Sequence, residues 1–250
     1  MKQDAAVFDN VEAGYGNVRI LNGLSFRVAE GEVFGVIGPN GCGKTTMLNA
    51  LSGMIRPSKG MISCFGKELN RLEAYERCRL GIGRTWQIPR PFAGMSVYEN
   101  TLAAAVHGAG RKNLLRDRRS GRKESDTALK ALEETGLAEK KDMPSGELTL
   151  LDRKRLEVAR AMASEPRLLL LDEVAAGLTE AETTQITDLV AGLKEKHYTV
   201  IWIEHNIETM MKATDRLMCM SEGRNVLTGD PAEVMASETV ERLYLGADDE

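Results

Sequence analysis

Apolar and polar residues nearly alternate at the start of the chain. Residues 6–16, AVFDNVEAGYG, and 18–32, VRILNGLSFRVAEGE, carry this pattern with glycine punctuation, which predicts short half-buried strands. VFGVIG, residues 33–38, is apolar throughout and predicts a strand covered on both faces of a parallel sheet. The chain then changes period. KTTMLNALSG, residues 44–53, reads as a helix that stops at Gly53, and apolar residues at three- and four-residue spacing predict further helices in SVYENTLAAAVHG, SDTALKALEETGL and DRKRLEVARAMA. Strand character returns in RLLLLDE and YTVIWIEH, followed by a hairpin, RLMCMSEGRNVLTGD, turning at Glu222 and Gly223. This order predicts an α/β core, residues 1–89 and 166–250, interrupted by a helical block at about 90–165.

Composition narrows the classes. A net charge of -4, from 33 basic against 37 acidic residues, gives no electrostatic reason to expect nucleic acid as a partner. Cys42, Cys64, Cys78 and Cys219 form no C-x-x-C pair, so free thiols in a reducing compartment, the cytosol, are expected. Asp4 and Asp9 interrupt the stretch where a secretory leader would need apolar residues, and no run approaches the length of a membrane span. We expect a chain that is neither secreted nor membrane-spanning but can sit against a membrane through partners. RKNLLRDRRSGRK, residues 111–123, has seven basic residues and one acidic. It reads as a solvated loop, with contact to anionic lipid headgroups as the alternative.

The candidate chemistry begins at GPNGCGKTT, residues 38–46. Gly38, Gly43, Lys44 and Thr45 complete G-x-x-x-x-G-K-[ST], with a strand before and a helix after. Past Pro39, which has no N–H to give, the glycines let backbone N–H groups from Asn40 to Thr46, Gly41 and Cys42 among them, curl around phosphate at a helix N-terminus. Lys44 is placed for the β- and γ-phosphates, Thr45 for Mg2+ and Thr46 for the α-phosphate. Cys42, among amides and beside a lysine, is expected to have a lowered pKa and a reactive thiol. Asp172, ending the apolar run LLLLDE, is a second ligand for the Mg2+ shell, and Glu173 is placed to orient or deprotonate an attacking water. No N-K-x-D motif is present to read guanine.

These motifs, with others in the same order, resemble the ATP-binding cassette (ABC) family over nearly the whole chain. Tyr15, in AGYGNVRIL, matches the aromatic that stacks on adenine, and Gln87, in RTWQIPRPF, matches the glutamine loop that reaches Mg2+ or the lytic water. AAGLT, from Ala175, looks like the D-loop, and His205, in WIEHN, like the switch histidine. The resemblance implies a RecA-like P-loop NTPase core, an antiparallel β portion, an inserted helical subdomain, and ATP and Mg2+ as cofactors. GIGRTWQIPRPFAGMSVYENTLAAA and GDPAEVMASETVERLYLG are similar to the larger ATP-binding subunit of branched-chain and hydrophobic amino acid importers. Urea, short amides and aromatic acids stay open as cargo, as does a soluble non-transport ATPase. A non-hydrolysing regulatory cassette is disfavoured by intact Asp172, Glu173 and His205.

The implied partners are two integral membrane permease subunits, a second ABC ATPase, and indirectly a substrate-binding protein. The implied location is cytoplasmic, peripheral on the inner face of the cell membrane. One motif departs from the family: where L-S-G-G-Q should stand the chain reads Leu148, Thr149, Leu150, Leu151, Asp152. Thr149 keeps a hydroxyl, but the leucines obstruct close backbone approach and Asp152 adds negative charge near an anionic ligand. A heterodimer with an L-S-G-G-Q partner is therefore expected over a homodimer, which stays possible.

Overall fold

The computed structural model describes residues 3–108 and 120–245. The strands and helices follow in chain order as β1 (Asp4–Tyr15), β2 (Val18–Ala29), β3 (Val33–Ile37), α1 (Lys44–Ser52), β4 (Lys59–Cys64), β5 (Lys67–Glu68), α2 (Ala74–Arg79) and β6 (Ile82–Arg84). Next come α3 (Val97–His107), α4 (Ser120–Glu134), α5 (Leu150–Ala163), β7 (Leu168–Asp172) and α6 (Glu180–Glu195). The last are β8 (Val200–Ile203), α7 (Ile207–Ala213), β9 (Arg216–Ser221), β10 (Arg224–Gly229), α8 (Pro231–Met235) and α9 (Glu238–Leu245). The chain divides into two compact units, residues 1–77 with 190–250, and residues 78–189.

The first unit contains an antiparallel sheet of order β2-β1-β4-β5. The alternation of β1 and β2 turns Phe8 and Phe26 to the same side, where their rings stack at 4.6 Å, and Phe26 stacks in turn on Phe34 at 5.6 Å. Phe34 belongs to β3, so this row of rings fastens the antiparallel sheet to the strand that leads into the phosphate loop. All five residues of β3 are buried, because the strand pairs in parallel with β8 on one side and β9 on the other. That placement explains its unbroken apolar run. β9 and β10 form the predicted hairpin, with Glu222 and Gly223 at φ 47° and 72° in its turn.

The second unit holds the parallel pair β6 and β7 and the mutually packed helices α3, α4 and α5. Ser96 and Glu99 close a capping box at the start of α3. α4 begins at Ser120, so Ser120 to Lys123 of the basic stretch are helical where a loop was expected. Residues 111–119, the rest of that stretch, lie outside the described residues. Among the described residues no helix is long and apolar enough to cross a membrane.

Candidate functional site

In the first unit, β3 delivers the chain into Gly38–Gly43 and α1 carries it away. Gly38 has φ 146°, and a Cβ there would lie 2.1 Å from the Met220 carbonyl oxygen, so the loop passes β9 at a distance only glycine allows. Gly43, at φ 107°, opens α1 with no side-chain cap, which leaves the first-turn N–H groups directed at the loop. Lys44 is 5% exposed and bends back over the loop, its Nζ donating to the carbonyls of Gly38 at 2.6 Å and Pro39 at 3.0 Å. Asn40, Gly41 and Thr45 are exposed at the rim, while Cys42 and Thr46 are buried.

Tyr15, at the end of β1, is 48% exposed, and its hydroxyl accepts a hydrogen bond from Asn49 Nδ2 of α1. The aromatic ring is thus tethered to the helix that follows the phosphate loop. His205 is exposed two residues beyond β8. The neighbouring Asn206, not His205, caps α7, accepting from the Thr209 N–H at 2.9 Å.

Cys42 departs from expectation. Its Sγ is buried, and loss of solvent pushes the thiol pKa up, outweighing the opposing pull of the Lys44 ammonium and of backbone N–H groups. The motif's amides and lysine are present, but the thiol points into the protein: Gly38 is tight against Cys42 Sγ, with a Cβ there only 2.9 Å from it.

In the second unit, Asp172 ends β7 and is 1% exposed. Its Oδ2 accepts from Arg84 Nη2 at 3.0 Å, and its N–H donates to Thr85 Oγ1 at 3.1 Å, so the parallel neighbour β6 and the residue just after it fix both carboxylate and backbone. Glu173 follows at φ 48°, a left-handed conformation uncommon for a residue with a side chain. Gln87, exposed, donates from Nε2 to Glu173 Oε2, which brings the glutamine-loop and water-orienting candidates together. Lys154, 2% exposed on α5, donates from Nζ to the carbonyls of Gln87 at 2.7 Å and Glu173 at 3.0 Å.

The LTLLD segment forms the start of α5. Thr149 is its N-cap: Oγ1 accepts from the Asp152 N–H at 3.2 Å and donates to Asp152 Oδ2 at 2.9 Å. The hydroxyl that Thr149 keeps is therefore engaged in closing its own helix. Asp152, whose negative charge was expected near an anionic ligand, is 3% exposed and paired with Lys140 at 2.5 Å. Leu148 and Leu151 are buried, and Leu150 alone is 44% exposed, with its Cδ2 3.5 Å from where a Cβ on Gly177 of the AAGLT segment would lie.

Arg84, Lys140 and Lys154 carry this arrangement and were not picked out from the sequence. For Arg84 and Lys140 no local signal exists, since their partners lie 88 and 12 residues away. Lys154 did leave one: it falls on the helical stripe of Leu151, Val158 and Ala161, a charge where the period calls for an apolar residue.

A family model described as ABC transporter matches residues 21–176. The chain is 36% identical over 240 residues to the high-affinity branched-chain amino acid transport ATP-binding protein BraF of Pseudomonas aeruginosa, covering 93% of this chain and 94% of that one. It is 31% identical to the lipopolysaccharide export system ATP-binding protein LptB of Haemophilus influenzae, covering 95% of each. The solved ADP conformation of MJ1267, an ATP-binding cassette of an ABC transporter, superposes with a TM-score of 0.85 at 28% identity, covering 97% of this chain and 99% of that one. With the phosphate loop, the buried strand-end carboxylate and these likenesses in agreement, the chain belongs to the ABC transporter family as an ATP-binding domain that hydrolyses ATP.

Proposed function

We propose that the chain is the ATP-hydrolysing subunit of a membrane importer for branched-chain or other hydrophobic amino acids. The likeness to BraF over 93% of the chain supports the cargo class. The observation that carries the chemistry is the meeting of Gln87 with the Glu173 carboxylate, one residue beyond the buried Asp172. Glu173 orients the attacking water and takes its proton, Lys44 exchanges its loop carbonyls for phosphate oxygens, and His205 stabilises charge on the γ-phosphate. Tyr15 stacks on the adenine, and backbone N–H groups of residues 40–46 hold the phosphates.

The Thr45 hydroxyl and the Asp172 carboxylate are hard oxygen donors, the chemistry Mg2+ takes, with Gln87 supplying a third. Bound there, Mg2+ neutralises charge on the triphosphate.

An ABC transporter ATPase works with membrane permease subunits. Here we place two of them, on the inner face of the cell membrane, with a substrate-binding protein delivering cargo. The working pair is a heterodimer with a second ABC ATPase. The exposed Leu150 and the self-capped Thr149 at the mouth of α5 support this, since they offer a partner's nucleotide less than a glycine-rich turn does.

The experiment is uptake of radiolabelled leucine, isoleucine and valine by cells lacking the chain and by cells complemented with it or with its Lys44→Ala variant. Import should return with the parent chain and not with the variant. The likeness to LptB favours one second reading, a transporter with a different cargo. Complementation that leaves uptake of all three amino acids unchanged would support it.

A further inference from the structure

Lys154 sits in the second turn of α5 with its ammonium held out of water. Burying an ammonium is costly unless its donors are satisfied, and a methionine would fill this place on the apolar stripe without that cost. Packing alone therefore gives no reason for a lysine. Where its ammonium donates identifies what it does: to the carbonyls of Gln87 and Glu173, the two residues whose side chains meet.

Glu173 is held at φ 48°, and its carbonyl accepts both Lys154 Nζ and the Ala176 N–H, the latter at 3.1 Å. A left-handed glutamate persists only where its surroundings over-determine it. The same face of α5 continues the attachment. Glu157 Oε1 accepts from the Arg90 N–H at 3.0 Å, and Arg160 Nη1 donates to the Arg90 carbonyl at 3.1 Å, so residues 154, 157 and 160 fasten loop residues 87–90 along the helix.

We propose that Lys154 is a positioning residue, whose buried ammonium holds Glu173 in its left-handed conformation and registers the glutamine loop against it. The helix that begins with LTLLD thereby aims the carboxylate that orients the water. This rests on the role proposed for Glu173 above.

The test is a double-mutant cycle on the full chain, reading the first-order rate of ATP hydrolysis and, separately, affinity for a fluorescent ATP analogue. Lys154→Met should slow hydrolysis about 10- to 100-fold with nucleotide affinity unchanged, and Lys154→Arg should regain most of the rate. In the Glu173→Gln background Lys154→Met should cost nothing further, because no carboxylate is left to aim. An equal fractional loss in both backgrounds, a fall in affinity in step with the rate, or no effect on the rate would each overturn the proposal. If Lys154→Met does not fold, Lys154→Gln, which keeps an N–H donor without the charge, enters the same cycle. A parent-like rate for Glu173→Gln alone would instead remove the reading of Glu173 on which the proposal stands.

Discussion

Arg84 Nη2 lies 3.0 Å from Asp172 Oδ2, with the two side chains only 7% and 2% exposed. A buried carboxylate that loses its cation is left uncompensated in a medium where it is poorly solvated. Arg84→Met is therefore expected to lower folding stability by about 3–5 kcal/mol, and pairing it with Asp172→Asn should recover part of that loss. Urea unfolding of the two single variants and the double variant measures the coupling. Additive losses would mean that the pair is not energetically linked.

The thiols give a pH dependence. Burial pushes Cys219 up to about 11, and it raises Cys42 and Cys78 in the same direction. A raised pKa leaves less thiolate at neutral pH, so maleimide should label Cys42 in the native chain more slowly than an exposed thiol, with the rate climbing as pH rises. For Cys219 the unfolded chain ionises first, and stability present below pH ~9 should be lost as pH approaches about 11. Peptide mapping after timed labelling checks the first statement. Urea midpoints between pH 8 and 11 check the second, against a variant with Cys219→Ala.

At the mouth of α5 the leucines are not equivalent. Leu151 is 8% exposed and Leu150 44%. Restoring glycine at 151 should cost about 3–5 kcal/mol through lost packing and helix propensity, whereas Leu150→Gly should cost at most about 1 kcal/mol. Thr149→Ala should cost about 1 kcal/mol as a lost cap. Thermal or urea unfolding of the three variants ranks them. Only Leu150→Gly is then a usable probe of how this segment meets a partner.

The expected heteromeric pair is tested through that probe. In the Glu173→Gln background, which preserves bound ATP, the chain alone should stay monomeric with ATP, and Leu150→Gly should shift it towards dimers. Sedimentation with and without ATP reads this directly. Tight ATP-dependent homodimers of the parent sequence would instead favour a symmetric pair.

Much of this was legible in the sequence where chemistry is local. β3, the phosphate loop and α1 are contiguous, so period, glycine placement and the Gly53 stop suffice to predict them. The hairpin turn at Glu222 and Gly223 carried its own signal. The hairpin of β4 and β5 did not, because Phe65, at φ 47°, fills a turn position where Asn or Gly is the usual marker. α6 could have been found from Thr179 and Glu182, whose reciprocal hydrogen bonds form a capping box. The raised pKa of Cys42 and the Lys140 partner of Asp152 are not legible in the sequence for one shared reason: spacing fixes which residues are neighbours in the chain, but burial and pairing depend on packing.

The central claim is that hydrolysis runs through the Glu173 carboxylate at a site that binds ATP independently of it. The most direct measurement compares parent and Glu173→Gln chains for ATP affinity and for single-turnover hydrolysis, with Lys44→Ala as the variant that weakens binding itself. The account predicts unchanged affinity and a hydrolysis rate lowered by about 10²–10⁴-fold. A Glu173→Gln chain, free of contaminating ATPase, that hydrolyses bound ATP at the parent rate would contradict it.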